Sequence, residues 1–185
     1  MTTHALADAV SADRWSADEA LEELYAAHWR QLVRLGVLLV RDVGTAEEVV
    51  QDAFVAMHGR WSRLRDNDKA LAYLRQSVVN RSRSVLRHQV VVDRHVRAAG
   101  SRPPDPAPDA DIGALDADRR VAVLDALGQL PDRQREVLVL RHYLELSEAE
   151  IADVLGIARG SVKSHASRGS AALRELLGDV WKDES

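Results

Sequence analysis

Cysteine is absent from the 185 residues, which excludes a disulfide framework, a thiolate metal site and a thiol nucleophile together. Long apolar runs are missing as well: none approaches the ~18 uninterrupted residues that span a bilayer. The start, MTTHALADAVSADRW, lacks the cationic opening and apolar stretch of a secretory signal. A cytoplasmic protein is the expectation. Lysine occurs only at Lys69, Lys163 and Lys182, so arginine supplies nearly all the positive charge. HExxH and glycine-rich phosphate-loop patterns do not occur, the seven histidines are dispersed, and the carboxylates belong to amphipathic faces or to a proline-rich stretch. Neither catalysis nor a bound metal or cofactor is expected. No segment alternates with the period of a strand, which leaves an all-α chain.

Proline is scarce and clustered. Of five prolines, Pro103, Pro104, Pro106 and Pro108 fall in AAGSRPPDPAPDADIGALDAD, where no large apolar periodicity survives. This composition predicts an extended spacer of about 3 Å per residue over residues 98–118, long enough to separate two small helical domains by tens of ångströms. The expected organisation is a tail at 1–17, a domain at 18–97, the spacer, a second domain at 119–178 and a tail at 179–185. The formal net charge of -4 hides a local excess: Arg60 to Arg97 holds ten Lys or Arg against Asp66, Asp68 and Asp93.

Before the spacer, Leu21, Leu24, His28, Leu32, Leu35 and Leu39 recur at helical spacing, and Asp42 to Thr45 breaks the pattern. A second helix follows, apolar at Ala46, Val49, Val50, Ala53, Phe54, Met57 and Trp61, with Glu47, Glu48, Gln51 and Asp52 opposite. A third, from about Lys69 to His88, turns Leu71, Leu74, Val78, Val85 and Leu86 inward and leaves Arg75, Arg81, Arg83 and Arg87 outward. After the spacer, Val121, Leu124 and Leu127 mark one helix, Pro131 punctuates it, and Val137, Leu140 and Leu144 mark the next.

The most informative segment is SEAEIADVLGIARGSVKSHASRGSAALRE, from Ser147 to Glu175. Ser147 followed three residues later by Glu150 is a capping box, so a helix starts there. Ile151, Ala152 and Leu155 give it an apolar face, and Gly156 lets the chain leave in a left-handed conformation. About three residues on, a second helix carries the stripe Val162, Ala166 and Leu173 together with Arg159, Lys163, Arg168 and Arg174, and no acid occurs from Val154 to Arg174. The first helix is acidic, through Glu148, Glu150 and Asp153 with Glu145 just before it. Charge segregated in this way, with Ser161, Ser164 and Ser167 between the cations, suits a helix in a DNA major groove: cations neutralise phosphates and short polar groups approach base edges. Ala158 stands where Ser or Thr would cap this second helix, so the sequence predicts a start that frays or shifts toward Ser161.

The segments LEELYAAHWRQLVRLGVLLVRDVGTAEEVVQDAFVAMHGRW and LPDRQREVLVLRHYLELSEAEIADVLGIARGSVKSHASRGSAAL, joined by the spacer, together resemble small two-domain bacterial RNA polymerase sigma factors of the extracytoplasmic-function (ECF) group of the sigma-70 family, of the SigE-like kind. The run AEEVVQDAF upstream of a basic helix is the most specific part. The resemblance implies a transcription initiation factor that gives core polymerase its promoter choice. Its first domain would grip the clamp helices of the largest subunit and capture the -10 element as single strand, and the second would read the -35 element as duplex.

Carried to matching positions, polymerase contact falls to Glu48, Gln51, Asp52 and Phe54. The -10 strand falls to Arg60, Trp61, Arg63, Arg65, Asn67, Lys69, Tyr73, Gln76, Asn80, Arg81, Ser84 and Arg87. The -35 duplex falls to Arg159, Ser161, Lys163, Ser164, His165, Ser167 and Arg168. His165 stands where Arg is common in the family, and Met57 and His58 replace a more usual Ala and Trp, with Trp61 nearby. The same resemblance implies a polymerase flap contact, an anti-sigma partner, a monomer when free, no membrane insertion, and a place in the bacterial cytoplasm at the nucleoid. A helix-turn-helix regulator acting without polymerase is the alternative reading; such proteins usually dimerise on paired half-sites, and this chain offers no convincing dimer seam.

Overall fold

The computed structural model describes residues 3–61, 67–97 and 114–178, with side chains described for 18–61, 69–89 and 119–178. Among the described residues every regular element is a helix: α1 Thr3–Val40, α2 Val43–His58, α3 Asn67–Arg97, α4 Ala114–Gln129, α5 Asp132–His142, α6 Glu148–Leu155 and α7 Arg159–Gly178.

Three of these helices are longer than their apolar patterns predict. α1 runs from Thr3, so the stretch expected as a tail is continuous with the first helix; nothing between Thr3 and Leu35 is a glycine or proline. α3 continues to Arg97 for the same reason. α4 begins at Ala114, inside the last residues assigned to the spacer; the proline cluster itself lies outside the described residues. Chain breaks fall where local chemistry demands them. Arg41 turns out of α1 at a φ of 66° while its N–H still donates to the Val37 carbonyl at 2.8 Å. Asp42 then caps α2 by accepting from the Thr45 N–H at 2.7 Å.

The N-terminal bundle packs α1, α2 and α3 around Leu32, Leu35, Leu39, Val50, Met57, Leu74 and Val78, all essentially inaccessible. α1 and α2 cross at Gly36, where a Cβ would come within 2.9 Å of the Ala46 Cβ; only glycine permits that approach. The C-terminal bundle surrounds Val137, Leu140, Ile151 and Val162.

The two bundles are docked rather than held apart, and this corrects the expectation of separation. One contiguous set of buried side chains runs from Leu24 through Leu74 and Val79 to Leu140 and Val162. The contact is also polar at points, as contacts between domains commonly are: Arg83 pairs with Glu136, Arg41 with Asp125, and the Tyr143 hydroxyl donates to the Gln31 carbonyl at 3.2 Å. The spacer composition predicts what the chain can reach; it says nothing of whether the faces it connects are complementary.

Candidate nucleic-acid and polymerase interfaces

Three surfaces collect the residues singled out by sequence. The first is the exposed side of α2. Its inward residues (Ala46, Val49, Val50, Ala53, Phe54, Met57) alternate at helical spacing with a stripe made of Glu48, Gln51 and Asp52, all exposed. Phe54 does not belong to that surface. It is buried, with its ring 5.3 Å from Tyr25 and 6.3 Å from Trp29, because its position on the 3.6-residue wheel is inward. In its place the stripe contains Val55, 68% exposed. The apolar pattern of α2 passes over Val55, and that mismatch is the signal by which sequence could have found it. Met57 fills the core, and His58 Nε2 lies 3.0 Å from Asp18 Oδ1.

The second surface is a groove along α3 lined by Arg60, Tyr73, Gln76, Ser77, Asn80, Arg81 and Ser84. Spacings of three and four residues place all of these side chains but Arg60, which comes from the turn after α2, on one side of the helix. Ser77 is an addition to the expected set. The Arg60 guanidinium sits 5.6 Å from the centroid of the Tyr73 ring, a cation–π geometry that stiffens both at the mouth of the groove. Arg87 Nη2 donates to Ser84 Oγ at 3.2 Å, and Arg81 Nη1 lies 3.0 Å from Asp52 Oδ2. Trp61 is half-buried and packed against the core rather than presented as a stacking platform. Lys69 is exposed. Arg63 and Arg65, with the Asn67 side chain, lie outside the described residues. Two cations read from sequence as outward are covered: Arg83 is engaged by Glu136, and Arg75 is half-buried with its Nε enclosed and unbonded.

The helix-turn-helix forms the third surface. The capping box is complete: Ser147 N–H donates to Glu150 Oε2 at 2.8 Å, and Glu150 N–H donates to Ser147 Oγ at 3.3 Å. These bonds hold the Glu150 carboxyl below its ordinary pKa, the Ser147 hydroxyl first and its backbone N–H second, with a smaller pull from Arg75. Gly156 takes a φ of 64°, the left-handed exit that a side chain would strain. α7 then starts at Arg159, not at Ser161. With no side-chain cap at Ala158, its carbonyl still accepts from Ser161 N–H at 2.9 Å and Val162 N–H at 3.2 Å, so backbone bonding alone begins the helix there.

On α7, Arg159, Lys163, Ser164, Ser167 and Arg168 are exposed, and Ser161 is half-buried. Ser164 Oγ donates back to the Gly160 carbonyl, and Arg168 Nε to the Ser164 carbonyl. Lys163 Nζ reaches Glu148 only at 3.8 Å, while 70% of its side chain remains exposed. His165 differs from its neighbours: its Nδ1 is buried and unbonded, so one edge of the ring faces the bundle.

The family model "Sigma-70 region 2" matches residues 4–90, and "Sigma-70, region 4" matches residues 120–173. RNA polymerase sigma factor CarQ of Myxococcus xanthus is 34% identical over 172 residues, covering 90% of this chain and 94% of CarQ. ECF RNA polymerase sigma factor SigM of Mycobacterium tuberculosis is 34% identical over 177 residues, covering 94% and 83%. The chain belongs to the ECF group of the sigma-70 family. The solved structure of CnrH in complex with the cytosolic domain of CnrY is similar across 91% of this chain and 98% of CnrH, with a TM-score of 0.64 and 26% identity. This sigma factor is therefore a transcription initiation factor that directs RNA polymerase to promoters, and the reading as a stand-alone regulator falls. Among the described residues no helix is long and apolar enough to cross a membrane.

Proposed function

We propose that this sigma factor divides its work among the three surfaces, with a polymerase- and -10-binding module at 18–97 and a -35-binding module at 119–178. The exposed stripe of α2, Glu48, Gln51 and Asp52 with Val55 among them, meets the clamp helices of the polymerase largest subunit. The α3 groove receives the opened -10 strand: cations follow the backbone while Tyr73, Gln76 and Asn80 hold base faces or edges. The exposed side of α7 enters the -35 major groove, where Arg159, Lys163 and Arg168 contact phosphates and Ser164 and Ser167 approach bases. The C-terminal module also meets the polymerase flap. The free factor is a monomer in the bacterial cytoplasm, works at the nucleoid, and is held by an anti-sigma protein until its signal arrives. It acts by binding alone.

The observation that supports this most is the adjacency of an acidic stripe and a polar, cationic groove on two packed helices, α2 and α3, joined through Asp52 and Arg81. A strand held there lies beside the polymerase contact. The test is run-off transcription with purified core polymerase and a pool of genomic promoters. Specific transcripts, whose start sites share paired upstream elements, are expected only when this chain is added. Core enzyme that starts nowhere new in its presence overturns the reading.

A further inference from the structure

α6 carries three acids whose carboxylates have different surroundings. Glu150 is spent on the capping box, where its Oε2 accepts from both the Ser147 N–H and the Ser147 hydroxyl. Asp153 is exposed. Glu148, half-buried in the first turn, stands between two neighbouring helices: its Oε1 lies 3.8 Å from Arg141 Nη2 in the last turn of α5, and its Oε2 lies 3.8 Å from Lys163 Nζ on α7. One carboxylate faces two cations.

Those distances decide what the carboxylate does. A charge-assisted hydrogen bond closes to about 2.7–2.9 Å, so at 3.8 Å Glu148 neither fixes the Lys163 ammonium in one direction nor withdraws it from solvent, and 70% of that side chain stays exposed. What acts at this range is the field. A phosphate oxygen taken by Lys163 at ~2.8 Å would lie within about 7 Å of the Glu148 carboxylate, inside the Debye length of ~8 Å at physiological ionic strength. The two anions repel. Of the acids of α6, Glu148 alone meets an α7 cation among the described residues, and no acid occurs from Val154 to Arg174 to share the task.

We propose that Glu148 restrains the grip of the C-terminal module on duplex of any sequence, by opposing the phosphate that Lys163 draws in. This rests on the -35 reading of α7 proposed above. Non-specific binding is carried by phosphate neutralisation, and a genome offers roughly a million or more competing sites. Four cations on one helix hold all of them. With that shared attraction lowered, the contacts of Ser164 and Ser167 with bases become a larger part of the affinity, and the chain parts readily from duplex that offers only its backbone. An acid in the first turn also suits the dipole of α6, a structural role that predicts the opposite sign: losing it would loosen the helix and weaken binding. The cap formed by Ser147 and Glu150 does not need Glu148.

Fluorescence anisotropy of the full chain on a short duplex of mixed sequence, across a potassium chloride series, reads this directly and needs no knowledge of the promoter. Glu148→Gln should tighten binding about threefold near physiological salt, the scale of an exposed charge interaction, and should steepen the logarithmic salt slope by up to about one unit. The gain should shrink as salt rises and the screening length shortens. Glu148→Asp keeps the charge and should bind much as the unsubstituted chain does. Lys163→Ala should weaken binding, and Glu148→Gln added to it should gain less than it does alone, because the two residues are coupled. Urea midpoints check folding: tighter binding by a chain of equal or lower stability cannot come from a firmer α6. If Glu148→Gln binds no tighter while Lys163→Ala still weakens binding, the restraint is overturned and the -35 reading stands. If Lys163→Ala leaves binding unchanged, the -35 reading falls and the restraint falls with it.

Discussion

α3 and α7 are both basic helices, and their cations live in different circumstances. On α3, Arg81 is paired with Asp52 at 3.0 Å and Arg83 is half-buried against Glu136, while Arg60 from the preceding segment lies over Tyr73. On α7, Lys163 touches only Glu148 at 3.8 Å, and Arg159 and Arg168 are exposed. Formal charge counted along a helix is therefore a poor measure of charge presented to a ligand. The α7 cations are presented to solvent as they stand, whereas Arg81 and Arg83 of α3 are engaged by partners within the protein. This matches what each surface would bind. Duplex is present before any opening, whereas a single strand exists only after the polymerase has been engaged, and Asp52, on the side that would meet it, holds Arg81.

The largest effect that could break this comparison is expected on α7. Lys163→Ala with Arg168→Ala removes two exposed cations proposed to contact phosphates, at about 1.5 kcal/mol each, on the order of a hundredfold in duplex affinity. The logarithmic salt slope should become shallower by about two units. Filter binding or anisotropy across a salt series on a -35 duplex measures both. An unchanged slope would mean that these side chains do not neutralise phosphates.

A smaller and two-sided effect is expected at Asp52. Asp52→Arg reverses charge on the acidic stripe and places a cation beside Arg81; competition for core polymerase should weaken by roughly tenfold, since like charges facing across an interface repel. Asp52→Asn keeps the shape and releases Arg81, and affinity for a -10 single strand should rise by about threefold at most, the scale of an exposed ion pair. If both variants leave both affinities where they were, the link between the α2 stripe and the α3 groove is lost.

Much of this was legible in sequence, unevenly. Ser147, Glu150 and Gly156 specify their turn by local chemistry alone, so the helix-turn-helix could be read residue by residue. The inward faces of α2 and α3 followed from period, including Leu74 and Val78. What escaped depended on neighbours far along the chain. No local pattern tells whether Arg83 or Arg87 will be covered, because the answer lies in Glu136, 53 positions later. Resemblance places Phe54 on a surface, whereas its own wheel position points inward and it is buried. Val55 is announced only by its mismatch with the apolar period of α2, since an apolar residue on an acidic stripe has no partner within the chain. The docking of the bundles was hidden by the spacer, whose composition describes reach and not affinity.

The smallest expected effect separates the two bundles by their caps. In α2 the capping group itself titrates: Asp42 is held below its ordinary pKa by hydrogen bonds from the Thr45 side chain and backbone. In α6 the cap is the neutral Ser147, and the titrating group is its partner Glu150, also held low. A depressed carboxyl pKa contributes stability that is complete above the unfolded value, near 4.5 for Glu150, and is lost as pH falls through the folded value. Ser147→Ala should therefore cost about 1 kcal/mol at neutral pH, and this difference from the unsubstituted chain should shrink on acidification below the ordinary carboxyl range as Glu150 takes up its proton. Asp42→Ala should show the same narrowing in a window set lower, because its unfolded value is 3.8. Urea midpoints from pH 7 to pH 3 measure both differences. A Ser147→Ala difference that stays constant across that range would show that the hydroxyl caps α6 without the help of the Glu150 carboxylate.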